Sequence, residues 1–415
     1  MATKIPVQIS RNDLNELDNE AAIIENVKYL ASYSWIEASA PTIAVPGIPP
    51  RWSPPVIPTR LQQDSGLIYI AQNAARHPSS PLEPLFRSLY IISPEFDVRA
   101  VDIITDRNNI RKLLSFINPH SSRNRLKPFA IGVEVIDNTT ILSRIETKTT
   151  ETIAPHEFKG FGHEFEKAYT HCQLRDSTGY HQIISYRFGG LSFIVRYEVD
   201  GYVSEPTATT SNTVEADGLA GLLESLSVTT THNTSQKIHT FTPPGSKMVI
   251  REEGKVVPLD STLEIKTRVS HKRLNIYEIA PQLWASQTSK LVRAYHNRGL
   301  FQEAKAEDVA KEIKGWELAN QEYLKRLVAL IKGICNAVRE CGGKAVVKYD
   351  DSSDEITVVP RVGTERMLPK DLYSKWRDTG DFGQGIAGHT PASRDADRRA
   401  ALPKSPGNDT CDSSN

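Results

Sequence analysis

Three short segments in the middle of the chain carry acidic residues at spacings that can converge on one point. GHEFE runs from Gly162 to Glu166, RYEVDGY from Arg196 to Tyr202, and LEIKTR from Leu263 to Arg268. A magnesium-like cation takes oxygen ligands in a near-octahedral cage, usually a few carboxylates completed by water and phosphate. Two such ions roughly 3.5–4 Å apart activate a water and stabilise the leaving oxygen of a phosphodiester. Side chains alternate along a strand, so Glu198 and Asp200 share one face, and Glu264 and Lys266 share another. Glu166, on a helix, is available as a fourth carboxylate. Lys266 would face the same cavity, orienting a nucleophilic water or neutralising developing phosphate charge. The competing reading is that each pair decorates an ordinary solvated strand face, as a single Glu-x-Lys usually does. Two such pairs in one chain weaken that reading, and spacing alone leaves both open.

The elements that must position these residues are legible in outline. Leu191, Phe193, Val195, Tyr197 and Val199 alternate with Arg196, Glu198 and Asp200 in a strand that follows HQIISYRF through the Gly189-Gly190 turn. LEIKTR lies within the strand STLEIKTRV, and HEFEKAYTHCQL places Phe165, Tyr169 and Cys172 on one helical face. FDVRAVDIIT reads as a strand feeding the helix RNNIRKLLSFI, with Asn108 as N-cap and a stripe of Ile110, Leu113, Leu114 and Ile117. Arg107 therefore sits at a strand-to-helix junction. KPFAIGVEVIDNTTILSRIET reads as two strands about a turn near Asp137, and helical spacing runs from Ala306 to Cys341, ended by Gly342-Gly343. At the front, LNELDNEAAIIENVKYL has helical spacing, while the prolines from Pro41 to Pro58 forbid a regular helix or inner strand and imply an extended wrapping arm. These readings give an N-terminal helix and proline-rich arm at 1–60 and one α/β domain at 61–376. A mobile Thr/Ser-rich insertion is expected at 204–236 and a disordered tail at 377–415.

Composition bounds the function. The 415 residues are enough to bury a large core. Lys+Arg and Asp+Glu are both 50, so no global field draws the chain to polyanions and any such binding must be local. The four cysteines, Cys172, Cys335, Cys341 and Cys411, form no CxxC pair and no zinc-like spacing, which predicts reduced thiols in an intracellular protein. No apolar run reaches the ~20 residues of a membrane span. The polar start lacks a signal-peptide core, so the expectation is a soluble protein of nucleus or cytoplasm with no membrane partner. Asp350 to Asp354 spells the DDxxD of prenyl diphosphate synthases, but it stands between two β-like segments and reads as a hairpin turn.

The segments together resemble the DXO family of RNA decapping and 5′-end quality-control nucleases. Gly162 and Glu166 match its Gly-hydrophobic-x-hydrophobic-Glu motif, with His163 at a position that is usually apolar. Glu198-Val199-Asp200 and Glu264-Ile265-Lys266 match its other two acidic motifs. Arg107 in TDRNNIRKLL is similar to the family's RNA-contacting arginine, and Gln287 in LWASQTS to its glutamine. The likeness covers about residues 96–376. It implies a modified PD-(D/E)XK nuclease-like α/β fold, a central mixed β-sheet flanked by helices. It further implies a two-ion magnesium or manganese site on Glu166, Glu198, Asp200 and Glu264, with Lys266, Arg107 and Gln287 on RNA or phosphate. The implied substrates are RNAs with a 5′ triphosphate, an incomplete cap or an NAD cap, with 5′→3′ exoribonuclease activity, or a partner exoribonuclease, as a further implication. Two alternatives stay open at this point: a catalytically weak relative that binds another exonuclease, and a DNA-directed nuclease.

Overall fold

The computed structural model describes residues 5–14, 21–119, 126–155, 157–204, 238–361, 363 and 365–377. The Thr/Ser-rich insertion from 205 and the tail from 378 lie outside the described residues.

A twelve-stranded mixed sheet organises the molecule. From one edge it runs Val7–Ser10, Glu355–Pro360, Lys344–Tyr349, Phe129–Ile136, Thr139–Ile145 and Ile103–Asp106, then Leu191–Val199, Ser177–Phe188, Ile24–Ile36, Thr42–Gly47, Val249–Gly254 and Thr240–Phe241. The hairpin Ser177–Phe188/Leu191–Val199 is its centre, turned by Gly189 and Gly190, both at positive φ. As the alternation predicts, Phe193, Val195, Tyr197 and Val199 enter one core. Helices Arg107–Ile117, Ile276–Ser286, Ala310–Ala319 and Gln321–Glu340 contribute to that core through Leu113, Leu283, Trp316 and Leu327. Ile194 joins the core on the opposite face, where Glu83–Ile92 and Lys370–Trp376 contribute Leu85, Phe86 and Trp376.

A second sheet of short strands includes Thr170–His171, Arg51–Trp52, Gly201–Tyr202, Thr262–Val269 and Lys290–Asn297, with the helix Gly162–Tyr169 packed on it through Phe165 and Tyr169. The chain passes directly from Leu191–Val199 in the large sheet to Gly201–Tyr202 in the small one. Asp200 is the single residue between them.

Several elements differ from expectation: among them, FDVRAVDIIT is a 3-10 turn at Val98–Ala100 followed by the short strand Ile103–Asp106, and the helix of Glu166 ends at Tyr169, before Cys172. Residues 24–36 are a strand, not the end of a helix: paired with Ser177–Phe188, it buries Ala31, Tyr33 and Trp35. Its β-branched and aromatic residues fit a half-buried pleated surface better than a helix, and tertiary pairing decides. Thr42–Gly47, within the proline-rich segment, is an inner strand, antiparallel to Ser34–Ile36 and parallel to Val249–Gly254. Pro46 is accommodated because its antiparallel neighbour pairs only as far as Ala44, so the missing N–H breaks no bond on that side. The helical pattern after Ala306 divides into a strand, Ala306–Asp308, and two helices that meet at Asn320. Asp350 to Asp354 is the turn of an antiparallel hairpin. No helix among the described residues is long and apolar enough to cross a membrane.

Candidate active site

The crossover at Asp200 brings the two acidic strands together. Gly201 pairs with Leu263, and Asp200 Oδ2 accepts a 2.7 Å hydrogen bond from the backbone N–H of Ile265, tying one motif to the other. Glu264 is 3% exposed and accepts hydrogen bonds from three side chains. They are Arg107 Nη1 at 3.0 Å on Oε2, and Lys266 Nζ and Gln282 Nε2 on Oε1. Arg107 is the first residue of its helix, reached straight from the strand Ile103–Asp106, and its guanidinium stacks 5.5 Å from the Tyr197 ring centroid.

Glu166 comes from the helix Gly162–Tyr169. No side chain of the preceding residue caps that helix; Asp64, nearly a hundred residues upstream, accepts from the Glu164 N–H at 3.0 Å instead. The helix packs on the strand of Glu264 through Phe165, Leu263 and Ile265. That packing sets Glu166 in the field of Asp200, Glu198 and Glu264.

The electrostatics divide the four carboxylates into two kinds. Burial raises the Glu264 pKa, but Lys266 and then Arg107 outweigh it and hold the group at about 2. Lys266 is raised in turn, the attraction of Glu264 and Asp200 overcoming its burial. Asp200 is pushed up to about 7, first by burial and then by Glu264. Glu166 is raised well above the usual carboxylate range by burial and then by Asp200. Glu198 is raised by burial, with Arg107 opposing and Glu264 adding. Thus one carboxylate is compensated by protein cations, and three crowd beside it in excess of the positive charge at hand. Like charges that a fold forces together stay ionised only if a cation joins them.

Among the described residues no group of three or more His, Cys, Asp or Glu is placed so that it could hold a metal ion as the side chains stand. The donor set nevertheless fits a hard divalent ion, since it consists of oxygen ligands with excess negative charge around Lys266. Glu166, Glu198 and Asp200 would be its free ligands, with Glu264 joining through the oxygen it now shares with Lys266 and Gln282.

One residue expected at the site is elsewhere. Gln287 lies past the end of the helix Ile276–Ser286 in a left-handed conformation (φ 53°), and its Nε2 donates to the Trp284 carbonyl at 2.6 Å. The glutamine that reaches the carboxylates is Gln282, through Glu264. The signal was present in the helical register: Glu278, Gln282 and Ser286 recur every four residues in an otherwise apolar helix. This stripe meets Arg268 at 3.0 Å, Glu264, and Arg107 at 3.3 Å respectively. The sequence reading also left out Asp64, because its contact to the Glu166 helix is entirely non-local.

Fold and site together define an α/β protein of modified PD-(D/E)XK nuclease-like architecture, with its carboxylates at the junction of two sheets. Residues 5–376 match a family model described as a domain of unknown function, DUF8563, and the chain belongs to that family. No curated protein matches in sequence. Among solved structures it shares the fold of Rai1, of the DXO family. Schizosaccharomyces pombe Rai1 is 12% identical with a TM-score of 0.52, over 86% of this chain and 100% of that one. Scheffersomyces stipitis Rai1 in complex with (3′-NADP)+ and calcium ion is 13% identical with a TM-score of 0.55, over 91% and 99%. Candida albicans Rai1 in complex with pU5-Mn2+ is 12% identical with a TM-score of 0.55, over 90% and 99%.

Proposed function

We propose that this protein is a divalent-metal-dependent hydrolase of RNA 5′ ends, removing a triphosphate-derived group, an incomplete cap or an NAD cap. The observation that carries this reading is the convergence of Glu166, Glu198, Asp200 and Glu264 around Lys266. It occurs in a fold that, in Candida albicans Rai1, accepts pU5 with Mn2+. The Scheffersomyces stipitis complex with (3′-NADP)+ and calcium supports a dinucleotide-bearing end as a substrate class.

Magnesium or manganese, when bound, supplies Lewis-acid charge and an activated water. The protein's own groups then divide the work. Lys266, held against Glu264, keeps a fixed positive charge where a phosphate oxygen becomes more negative as the bond breaks. Arg107 reaches the same carboxylate from the opposite side, and its guanidinium plane orients a terminal phosphate. Gln282 donates to Glu264 Oε1 beside Lys266 and so holds the carboxylate in one rotamer. Asp200, pushed up to about 7 without metal, would have to be ionised to hold a divalent ion, so metal affinity would rise with pH through that range.

The test is incubation of purified protein with 5′-triphosphate, unmethylated-cap and NAD-capped RNA, each with manganese or with chelator. Metal-dependent release from at least one is the expected result. The absence of release from all three at micromolar enzyme would refute the hydrolase reading, and equal turnover of matched DNA would refute RNA preference.

A further inference from the structure

Beside the carboxylates lies a second polar cavity of about 130 Å³, bounded by Asn73, Arg107, Arg111, Arg144, His181 and Glu198. Glu198 and Arg107 belong to both spaces, so whatever fills this cavity abuts the carboxylate cluster. Its floor is a hydrogen-bonded chain that fixes the protonation of His181. Trp35 Nε1 can only donate, and it donates to Asn73 at 2.9 Å, so the Asn73 atom it meets must be the amide oxygen. Tyr33 donates to the same oxygen at 2.6 Å. The Asn73 NH₂ is therefore the group 3.0 Å from His181 Nε2, and since it can only donate, Nε2 must carry the lone pair. The imidazole, stacked flat on Tyr33 with centroids 5.1 Å apart, is thus neutral with its proton on Nδ1.

Among the described residues that Nδ1–H has no partner, although His181 is only 4% exposed. A buried donor left unmade keeps its full desolvation penalty, so a ligand acceptor is the natural occupant of the space in front of it. The cations around the cavity point to the acceptor's charge. Arg107 is engaged by Glu264, Arg144 by Glu146 and Arg196 by Asp106, whereas Arg111 makes no side-chain hydrogen bond or ion pair among the described residues. The first turn of the helix Arg107–Ile117 also borders the cavity without a side-chain cap, because the Asp106 carboxylate is taken by Arg196.

We infer that this cavity is a phosphate subsite on the leaving side of the scissile bond, in which His181 Nδ1–H and the Arg111 guanidinium bind the phosphate next to the one held by the carboxylates. The inference rests on the proposed hydrolysis of RNA 5′ ends for its place in the substrate, but the cavity's preference for phosphate does not. A neutral N–H donor beside an unpaired guanidinium reads a tetrahedral oxyanion without adding a second fixed charge next to Glu198.

The test begins with calorimetric titration of metal-free protein, in chelator, with inorganic pyrophosphate and with inorganic phosphate. Wild type binds pyrophosphate, and Arg111→Met weakens this at least tenfold while leaving the unfolding temperature within two degrees, since Arg111 holds nothing in the fold. His181→Phe keeps the stack on Tyr33 and loses the donor, with a comparable effect if it folds. Independently of any variant, nitrogen-15 spectra of the labelled histidines should place the His181 proton on Nδ1 and shift it on addition of pyrophosphate. Wild type that binds neither anion, Arg111→Met with unchanged affinity, or a proton on Nε2 would overturn the subsite. In turnover, Arg111→Met should raise KM for a 5′-triphosphate dinucleotide tenfold while leaving the inhibition constant of the 5′-monophosphate product unchanged; an equal rise for both would overturn its place on the leaving side. Wild type that binds pyrophosphate yet hydrolyses no RNA end would instead sink the hydrolase reading and leave the subsite standing.

Discussion

Glu264 is the residue on which the site's electrostatics turn, because two cations and an amide converge on one carboxylate. Glu264→Gln removes the charge that holds Lys266 and Arg107, and activity on any 5′ end should fall by at least about 10³-fold, a loss of the size seen when charge stabilisation at a transition state is removed. Gln282→Leu acts only through Glu264. We expect a loss of about 10–100-fold in kcat, typical of a lost orienting partner, while Gln287→Ala leaves kcat unchanged. Single-turnover rates on triphosphate RNA distinguish the two glutamines. The pKa directions fix a second expectation. Glu166, Glu198 and Asp200 have folded pKa values raised above their unfolded ones, so the folded state binds more protons between about pH 4 and the folded values. Stability of the metal-free protein should therefore fall as pH rises through about 7, where Asp200 ionises. Glu264, depressed to about 2, works the other way and loses its contribution only in strong acid. Asp200→Asn should raise the unfolding temperature at pH 8 in chelator. A lower temperature there, or stability that climbs from pH 5 to pH 8 without metal, would contradict the crowding of these carboxylates.

The elements were legible wherever local pattern and tertiary fate agree. Leu191–Val199 and Thr262–Val269 alternate in sequence and in structure, so the pairs Glu198/Asp200 and Glu264/Lys266 were readable from period two alone. The helix of Arg107 was readable from its apolar stripe, although its N-cap is Asp106 rather than Asn108. What the pattern could not supply was pairing between distant segments. The pattern at 24–36 is helical on its own and becomes a strand through its neighbour at 177–188, and that Gln282 rather than Gln287 reaches Glu264 follows from which helical face meets residues 262–269. The same limit hid the Arg196–Asp106 pair. Arg196 is 1% exposed and donates twice to Asp106, at 2.6 and 3.0 Å, joining the central strand to the start of the Arg107 helix. Removing one partner of a buried ion pair leaves the other charge stranded, at a cost of about 3–5 kcal/mol. Asp106→Ala should lower the denaturation midpoint accordingly and release Arg107 from its position. A midpoint within about 0.5 kcal/mol of wild type, the size of an ordinary surface change, would mean the pair is not a structural anchor.

At the scale of the whole molecule, the formal charge of zero restricts how the proposed RNA substrate can be held. With no net field, affinity has to come from the few cations around the site: Arg107, Arg111 and Arg144 border the cavity next to Glu198, as does Arg196, which Asp106 already neutralises. Binding should then depend on the phosphates at the 5′ end far more than on RNA length. For single strands each neutralised phosphate contributes about −0.7 to the slope of log K against log salt, so three contacts give a slope of about −2. A protein that tracked a long backbone with a basic groove would give a much steeper slope that grows with oligonucleotide length. Fluorescence anisotropy with the wild-type protein in chelator, where the proposed metal-dependent turnover is silent, measures both quantities. A 5′-hydroxyl oligonucleotide should bind at least about tenfold more weakly than its 5′-triphosphate counterpart, because one charge-assisted hydrogen bond of ~1.5 kcal/mol already accounts for that factor. Equal affinity for the two ends, or a slope beyond about −5, would place the main RNA contacts outside this junction of the two sheets.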